Sequence, residues 1–320
     1  MSSTFFLAIL CLGVGSGALA FDPSLDAEWH DWKTEYEKSY TMVSKGHRRA
    51  VWEENMKMIK LHNRENSLGK NGFIMEMNEF GDLTAEEFRK MMVNIPIRSH
   101  RKGKIIRKRD VGNVLPKFVD WRKKGYVTRV QNQKFCNSCW AFAVTGAIEG
   151  QIVQNLVDCT KSQGMKAVNG GDPHIAYEYV LNNGGLEAEA TYPYKGKVSC
   201  HCNSSWSCAG TIQSILRREI TGFVSLPESE DILMEAVATI GPISVAVDAS
   251  FNSFGFYKKG LYDEPNCSNN TGNETDGNSY WLIKNSWGRK WGLRGYMKIP
   301  KDQNNFCAIA SYYLTVLSVR

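Results

Sequence analysis

Residues 131–142 read QNQKFCNSCWAF and place two cysteines three positions apart, directly before a tryptophan. The run that begins at Cys139, CWAFAVTGAIEG, predicts a helix over residues 139–151. In the first turn of a helix, the backbone N–H groups and the helix dipole favour an ionised thiol. Cys139 is therefore a candidate nucleophile, and the alternative interpretation is a buried, inert cysteine.

Helical patterns come early in the chain and strand patterns come late. Apolar residues recur at helical spacing over 51–63, and AEEFRKMM (85–92) predicts a short helix. Asp82 or Thr84 caps this helix, and Glu87 completes a capping box with Thr84. The strand patterns are ISVAVDA (243–249), YWLIKNSW (280–287), YMKI (296–299) and ASYYLTVLS (310–318). This order predicts an α+β fold with two lobes and a site in the cleft between them.

The N-terminus has the pattern of a secretory signal peptide over residues 1–20. Its apolar run is too short to span a bilayer and ends in small residues at Ala18-Leu19-Ala20. No later segment is apolar enough to suggest a membrane span. We therefore expect passage through the secretory pathway, where disulfides form. Four glycosylation sequons, at Asn203, Asn266, Asn269 and Asn273, fit that compartment.

The net charge of +6 is concentrated in one place. Seven Lys or Arg residues lie in RSHRKGKIIRKR (98–109), with no aromatic residues between them. Such a run is typical of a nucleic-acid patch, a solvated linker or a processing site, and the lack of a nucleic-acid motif favours the last two. It separates a charged, helical region from a more apolar one that starts near Leu115.

A second motif, NSWGRKWGLRGY (285–296), lies 146 residues after Cys139. CNSCWAF and this motif, in this order and spacing, resemble the papain family of cysteine peptidases. The N-terminal region resembles the propeptides of the cathepsin L branch through Arg48, Trp52, Asn55, Ile59, Asn63, Asn78, Phe80 and Asp82. The resemblance implies a two-lobed papain-like fold, with a helical lobe and a β-barrel-like lobe, preceded by a helical propeptide. The implied segments are a signal peptide (1–20), an inhibitory propeptide (21–114) and a peptidase domain (115–320).

The same resemblance implies the roles of individual residues. Cys139 is then the nucleophile of a cysteine endopeptidase, and Gln133 supplies a donor to the oxyanion hole. Asn285 is the residue that orients the catalytic base, and Trp287 shields that contact at the substrate cleft. Gly170 and Gly171 correspond to glycines whose backbone pairs with an extended substrate. The implied partners are a peptide or protein substrate and the chain's own propeptide, in a lysosomal or secreted monomer without a cofactor.

The histidine that the family uses as general base is missing from its expected place. The resemblance places it between Cys267 and Tyr280, where residues 268–279 read SNNTGNETDGNS, without a histidine or an apolar residue. His174 and His201 are the only histidines after Leu115, and neither is expected to act as base. We therefore expect a weak peptidase. The alternatives are an inactive relative that binds peptides, or a propeptide-type inhibitor of related cathepsins. The short interval has three possible origins: real divergence, altered splicing or an incorrect gene sequence.

The resemblance also implies disulfides. It pairs Cys159 with Cys200, or with its neighbour Cys202, and Cys267 with Cys307. Val168 occupies the position of the family's partner for Cys136, and Cys208 is a candidate substitute. The Cys-His-Cys run 200–202 is also a pattern that can hold zinc, but an oxidising compartment favours disulfides, so no metal is expected.

Overall fold

The computed structural model describes residues 21–92, 115–148, 153–160, 170–186, 193–197, 220–267, 279–302 and 304–316. The predicted signal peptide, the basic run, Cys200 and His201 lie outside these residues. The helices are α1 (Asp26–Glu35), α2 (Met42–Ser67), α3 (Ala85–Met92), α4 (Cys139–Ala147), α5 (Val153–Cys159), α6 (Pro173–Asn182), α7 (Glu230–Thr239) and α8 (Asn252–Gly255). The strands are β1 (Phe73–Met75), β2 (Phe223–Ser225), β3 (Ser244–Val245), β4 (Tyr257–Gly260), β5 (Tyr280–Lys284), β6 (Tyr296–Pro300) and β7 (Tyr313–Val316).

The N-terminal region has a small aromatic core of its own. Trp29 and Trp32 of α1 pack against Trp52 of α2, which is completely buried. The predicted capping box begins α3: the Glu87 N–H donates to Thr84 Oγ1 at 3.2 Å, and the Thr84 N–H donates to Glu87 Oε2 at 2.9 Å. Two backbone donors at the start of this short helix are thereby satisfied.

The segment between α2 and α3 contains a strand for which the sequence patterns gave no prediction. β1 pairs antiparallel with β4, and Phe73 lies opposite Gly260. Three residues are too few to produce a periodic signal, and the strand exists because of a partner almost 190 positions away. This pairing joins the N-terminal region to the rest of the chain.

The helical lobe is built from α4, α5 and α6. Its core contains Trp140, Leu156, Tyr177 and Tyr179, each almost completely buried. Helix α6 begins where the Asp172 carboxylate accepts the His174 N–H at 2.9 Å. No helix in the described part of the chain is long and apolar enough to cross a bilayer.

The second lobe contains a three-stranded sheet in the order β2-β7-β3 and a two-stranded sheet of β5 and β6. The strands predicted over 280–287 and 310–318 are present with shorter bounds, and the strand predicted over 296–299 extends to Pro300. The strand predicted over 243–249 is reduced to Ser244–Val245. Helix α7 packs in this lobe, where its Leu233 and Ala236 meet Val224 and Tyr313. One lobe is therefore helical and the other combines sheets with helices, as expected for the α+β, two-lobed fold.

Candidate active site

Cys139 lies in a cleft between the two lobes. It is the first residue of α4 and lines a cavity of about 670 Å³. Trp140 and Phe142 form part of one wall, while Val245 and Ile283 form part of the other. A cysteine in this position can meet a substrate that enters the cleft.

The surroundings of Cys139 do not favour a thiolate. Burial raises the pKa of the Cys139 thiol from 9.0 to about 11, and the nearby Cys136 thiol acts in the same direction. The N–H groups of Trp140 and Cys139 act against this rise, but burial outweighs them. The described residues that line the cavity include no histidine. The helix N-terminus alone therefore leaves Cys139 protonated at neutral pH.

Gln133 is buried beside Cys136 and linked to the second lobe. Its Nε2 donates to the Cys136 carbonyl at 2.6 Å, and its Oε1 accepts from Ser286 Oγ at 2.6 Å. The Gln133 N–H donates to the Ser286 carbonyl at 2.7 Å. A primary amide nitrogen carries two protons, so Nε2 keeps one for a further acceptor.

Asn285 and Trp287 follow β5 at the edge of the same cavity. The Asn285 N–H donates to the Gly295 carbonyl at 2.9 Å, and its Oδ1 accepts the Ser286 N–H at 2.7 Å. Trp287 is 4% exposed. Cys139, Asn285 and Trp287 thus line one cleft, and Gln133 is held beside it by Ser286.

The other predicted site residues are not among the described residues that line the cavity. Gly170 and Gly171 come directly before α6, and neither is among the described residues that line it. His174 also lies outside the lining: its Nε2 is 3.3 Å from Glu178 Oε1, and its ring packs edge-on against Phe223. A base must reach the proton that it removes. The structure therefore gives His174 a position in α6 and not one beside Cys139.

The cysteines divide into two groups. Cys267 and Cys307 form a disulfide, as the resemblance implies. Cys159 is also disulfide-bonded, and its predicted partners Cys200 and Cys202 lie outside the described residues. Cys136 and Cys139 carry thiols, and Cys136 contacts the Tyr194 hydroxyl. Among the described residues, no cluster of His, Cys, Asp and Glu could hold a metal.

The N-terminal region packs against the peptidase domain beside the cleft, and its Met92 lines the cavity. Phe80 and Phe88 pack edge-on against Trp287, with ring centroids 5.3 and 5.5 Å away. The Asn78 amide donates to the Gly255 carbonyl at 2.7 Å, and the Asn137 amide donates to the Lys90 carbonyl at 3.1 Å. Aromatic contacts and backbone-directed hydrogen bonds together fix this region over the site.

Two residues of the site were missed by sequence reasoning. Ser286 holds the Gln133 side chain, and Tyr194 joins the loop before α4 through Ser138 Oγ at 2.7 Å and the Gln133 carbonyl at 3.0 Å. Ser286 is part of the NSW motif and was available as a signal. Tyr194 lies in no motif, and its role depends on tertiary packing alone.

The chain matches the family described as papain family cysteine protease over residues 115–317, and the cathepsin propeptide inhibitor domain over residues 29–88. Cathepsin R of Mus musculus is 60% identical over 337 residues, covering 98% of each chain, and cathepsin L2 of Homo sapiens is 48% identical, covering 97% of this chain and 98% of that one. The solved structure of digestive procathepsin L2 proteinase from Tenebrio molitor has a TM-score of 0.78 and 33% identity, over 91% of this chain and 98% of that one.

The alignment with the mouse relative spans 337 positions, more than the 320 residues of this chain. The relative therefore carries residues within the matched region that this chain lacks. The prediction from CNSCWAF and NSWGRKWGLRGY is confirmed across nearly the whole length. The chain belongs to the papain family of cysteine proteases, in its cathepsin L-like branch, and carries a cathepsin propeptide inhibitor domain.

Proposed function

We propose that this chain is the zymogen of a cathepsin L-like cysteine endopeptidase, with strongly reduced activity because residues 268–279 contain no histidine. The main observation in support of a zymogen is the packing of Phe80 and Phe88 against Trp287, which lines the same cleft as Cys139. A region docked in this way prevents a substrate from reaching the thiol. The proposed segments are a signal peptide (1–20), an inhibitory propeptide (21–114) and a peptidase domain (115–320).

In this proposal, Cys139 Sγ attacks the carbonyl carbon of a peptide substrate, and the bond to the amine breaks as the acyl-enzyme forms. The second Nε2 proton of Gln133 and the Cys139 N–H stabilise the oxyanion. Asn285 would orient a base, and Trp287 would contact substrate once the propeptide leaves. Gly170 and Gly171 are assigned to the extended substrate, whose binding requires no cofactor.

The chemistry lacks a proton carrier. The attacking thiol must lose a proton and the leaving amine must gain one, yet no described residue that lines the cavity is a histidine. With a pKa of about 11, about one Cys139 thiol in 10⁴ is ionised at pH 7. Removing one member of such a catalytic unit costs at least about 10³-fold in rate.

The test is hydrolysis of a fluorogenic peptide by the purified, matured chain, beside its Cys139→Ser variant. We expect turnover at least about 10³-fold below that of a cathepsin L assayed in parallel. Turnover at the level of the cathepsin, abolished in Cys139→Ser, would refute the impairment but support the assignment of Cys139. Equal low rates in both proteins support the impairment.

Sequencing the native transcript across the codons for Cys267 to Trp281 distinguishes among the three possible origins of the short segment 268–279. Extra codons that encode a histidine in an apolar strand would assign the protein as an ordinary cathepsin L-like peptidase. A transcript that encodes SNNTGNETDGNS without additions would leave a weak or inactive peptidase in a lysosomal or secreted monomer. Peptide binding without turnover would then identify an inactive relative that binds peptides.

A second candidate function, inhibition of related cathepsins, is favoured by the docking of residues 73–92 against the peptidase domain. This region has its own aromatic core and joins the peptidase domain through β1 and β4. We expect the 21–114 fragment to inhibit a cathepsin L at nanomolar concentration. Absence of inhibition at micromolar concentration would eliminate this candidate.

A further inference from the structure

A second cavity, here called the junction groove, lies where the N-terminal region meets the peptidase domain. It has a volume of about 390 Å³ and shares no lining residue with the cleft around Cys139. Its walls come from Glu35, Tyr36 and Glu76 on one side and from β4 and the loop 289–294 on the other. The docked, full-length chain therefore forms this groove, and its volume is in the range of about 300–1,000 Å³ that small-molecule sites have.

The lining of the junction groove is strongly basic. Two acidic side chains, Glu35 and Glu76, and five cationic ones leave a net charge of +3 at neutral pH; the cations are Lys258, Lys259, Arg289, Lys290 and Arg294. A concave surface with one prevailing sign of charge concentrates ions of the opposite sign. The groove is therefore suited to an anion.

The two acidic residues each hold one cation across the junction. Lys258 pairs with Glu76, and Lys290 Nζ is 3.0 Å from Glu35 Oε1. The same Lys290 Nζ lies 4.8 Å from the centroid of the Tyr36 ring. These contacts join the N-terminal region to the peptidase domain and use both acids, so the net charge of +3 belongs to the three other cations.

Those three cations, Lys259, Arg289 and Arg294, are exposed. In the part of the chain that the structure describes, no acidic side chain forms an ion pair with any of them. Arg294 has a φ of +55°, which is uncommon for a residue other than glycine, and its N–H donates to the Gly292 carbonyl at 2.9 Å. Strained residues of this kind cluster at ligand sites, which makes Arg294 a candidate ligand-binding residue.

The loop that carries the two arginines is anchored by Trp291. This side chain is 2% exposed and stacks on Phe254, with ring centroids 5.8 Å apart. Its Nε1 donates to the Gly255 carbonyl at 3.0 Å, and its own carbonyl accepts the Gly295 N–H at 2.6 Å. The loop is therefore fixed before a ligand arrives, which lowers the entropic cost of binding.

The charge of the groove defines the class of ligand. A guanidinium group presents a fork of N–H donors that matches the oxygen pairs of a phosphate. A phosphate group carries a charge of about −1.5 to −2 at neutral pH, so two of them balance three cations. Two carboxylates supply only about −2 and would leave one cation unbalanced.

We propose that the junction groove binds a small molecule with two phosphate groups, held by Lys259, Arg289 and Arg294. The ion pairs of Lys258 and Lys290 stay intact, so the N-terminal region remains docked. Such a pair of phosphates occurs in soluble phosphate esters and in lipid headgroups. This binding does not rest on the proposed peptidase activity.

The test is isothermal titration calorimetry of pyrophosphate with the full chain carrying Cys139→Ser, at physiological ionic strength. Arg289→Gln and Arg294→Asn should each weaken binding at least about tenfold, because each removes charge-assisted hydrogen bonds. Asparagine tolerates a positive φ, so Arg294→Asn keeps the turn. The matched control, Arg64→Gln, removes the same charge from an exposed position on α2 and should leave the affinity unchanged.

Other outcomes overturn the proposal. Absence of binding at millimolar pyrophosphate would refute it, and so would equal weakening by Arg64→Gln, which would indicate attraction to the overall positive charge. Tighter binding of heparin fragments as their length grows, without binding of pyrophosphate, would identify an extended polyanion surface instead. Vesicles with phosphatidylinositol bisphosphate distinguish the two sources of the ligand. Vesicle binding that the Arg289 and Arg294 variants lose assigns the groove to a lipid headgroup, and pyrophosphate binding without vesicle binding assigns it to a soluble molecule.

Discussion

Two positions that follow β5, Trp287 and Asn285, differ in how completely their surroundings are packed. Trp287 is enclosed by Phe80 and Phe88 of the propeptide and by Phe254 and Trp291 of the peptidase domain. Two residues earlier, Asn285 lines a cavity that contains no described histidine. The surface that docks the propeptide is therefore tightly packed, whereas the adjacent cleft is not.

The difference follows from the elements that each part needs. Docking uses β1, β4, α3 and the loop near Trp287, all of which lie outside residues 268–279. The activity that we propose to be impaired depends instead on residues 268–279, which contain no histidine. The propeptide can therefore stay bound even where the cleft hydrolyses peptides as slowly as we propose.

The largest expected effect concerns the reactivity of Cys139. Since burial raises its pKa to about 11, the rate of alkylation by iodoacetamide should rise about tenfold per pH unit from about pH 7 to about pH 10. A thiol paired with histidine, with a pKa of about 3–4, would be almost fully ionised and show no such rise. Mass spectrometry locates the label, and Cys139→Ser corrects for Cys136. A rate constant independent of pH between about 6 and 8 would show that a base is present beside Cys139. The cleft would then be as complete as the docking surface.

The second effect tests the docking surface through Gly260. Its φ is +105°, and a Cβ there would contact the Gly72 carbonyl oxygen and lie 2.7 Å from Phe73 Cα. Gly260→Ala should therefore disrupt the β1–β4 pairing, at a cost of about 2–4 kcal/mol. Hydrogen exchange of the Phe73 to Met75 amides measures this loss.

Gly125→Ala is the matched control for that experiment. Gly125 has a φ of +80°, and nothing lies within 4 Å of its added Cβ. This variant should cost only about 1 kcal/mol of backbone strain and leave the amides of β1 protected. Equal exchange of β1 in the two variants would show that the pairing contributes little to docking.

The sequence predicted the fold wherever a local pattern carried it. The capping box at Thr84 and the strands around Leu282, Met297 and Leu314 were predicted and are present. The strand β1 was missed because its hydrogen bonds go to a distant partner. The strand predicted over 243–249 is shorter than expected, since only its β7 side has a neighbour among the described residues. Pattern alone does not reveal whether a partner strand exists.

For the site, the two motifs predicted that Cys139 and Asn285 share a cleft, as they do in the structure. The roles of these residues remain proposals. The direction of the Cys139 pKa shift was not readable from the sequence, because it depends on the balance between burial and helix N–H donors. The motifs therefore predicted where Cys139 and Asn285 lie, but they did not predict the pKa of Cys139.

The smallest expected effect concerns the ion pair that joins α2 to α3 within the propeptide. Arg48 donates to both Glu87 carboxylate oxygens, at 2.7 and 2.9 Å, which lowers the pKa of Glu87. Glu87→Gln keeps a capping-box side chain but removes the charge, and should lower the free energy of unfolding by about 1 kcal/mol at pH 7. Chemical denaturation of the full chain measures this difference.

The lowered pKa of Glu87 also predicts how this stability difference changes with pH. A carboxyl whose pKa is lowered by folding stabilises the protein above its unfolded pKa of about 4.5 and loses that contribution as the pH falls through the folded value. The difference between the original chain and Glu87→Gln should therefore shrink below about pH 4.5. Glu28→Gln is the control, because the Glu28–Lys60 pair is 3.5 Å long and about half exposed, so its loss should be undetectable. If both variants unfold like the original chain at pH 7, the stability of the propeptide comes from its tryptophan core, and the contrast with the open cleft is one of apolar packing alone.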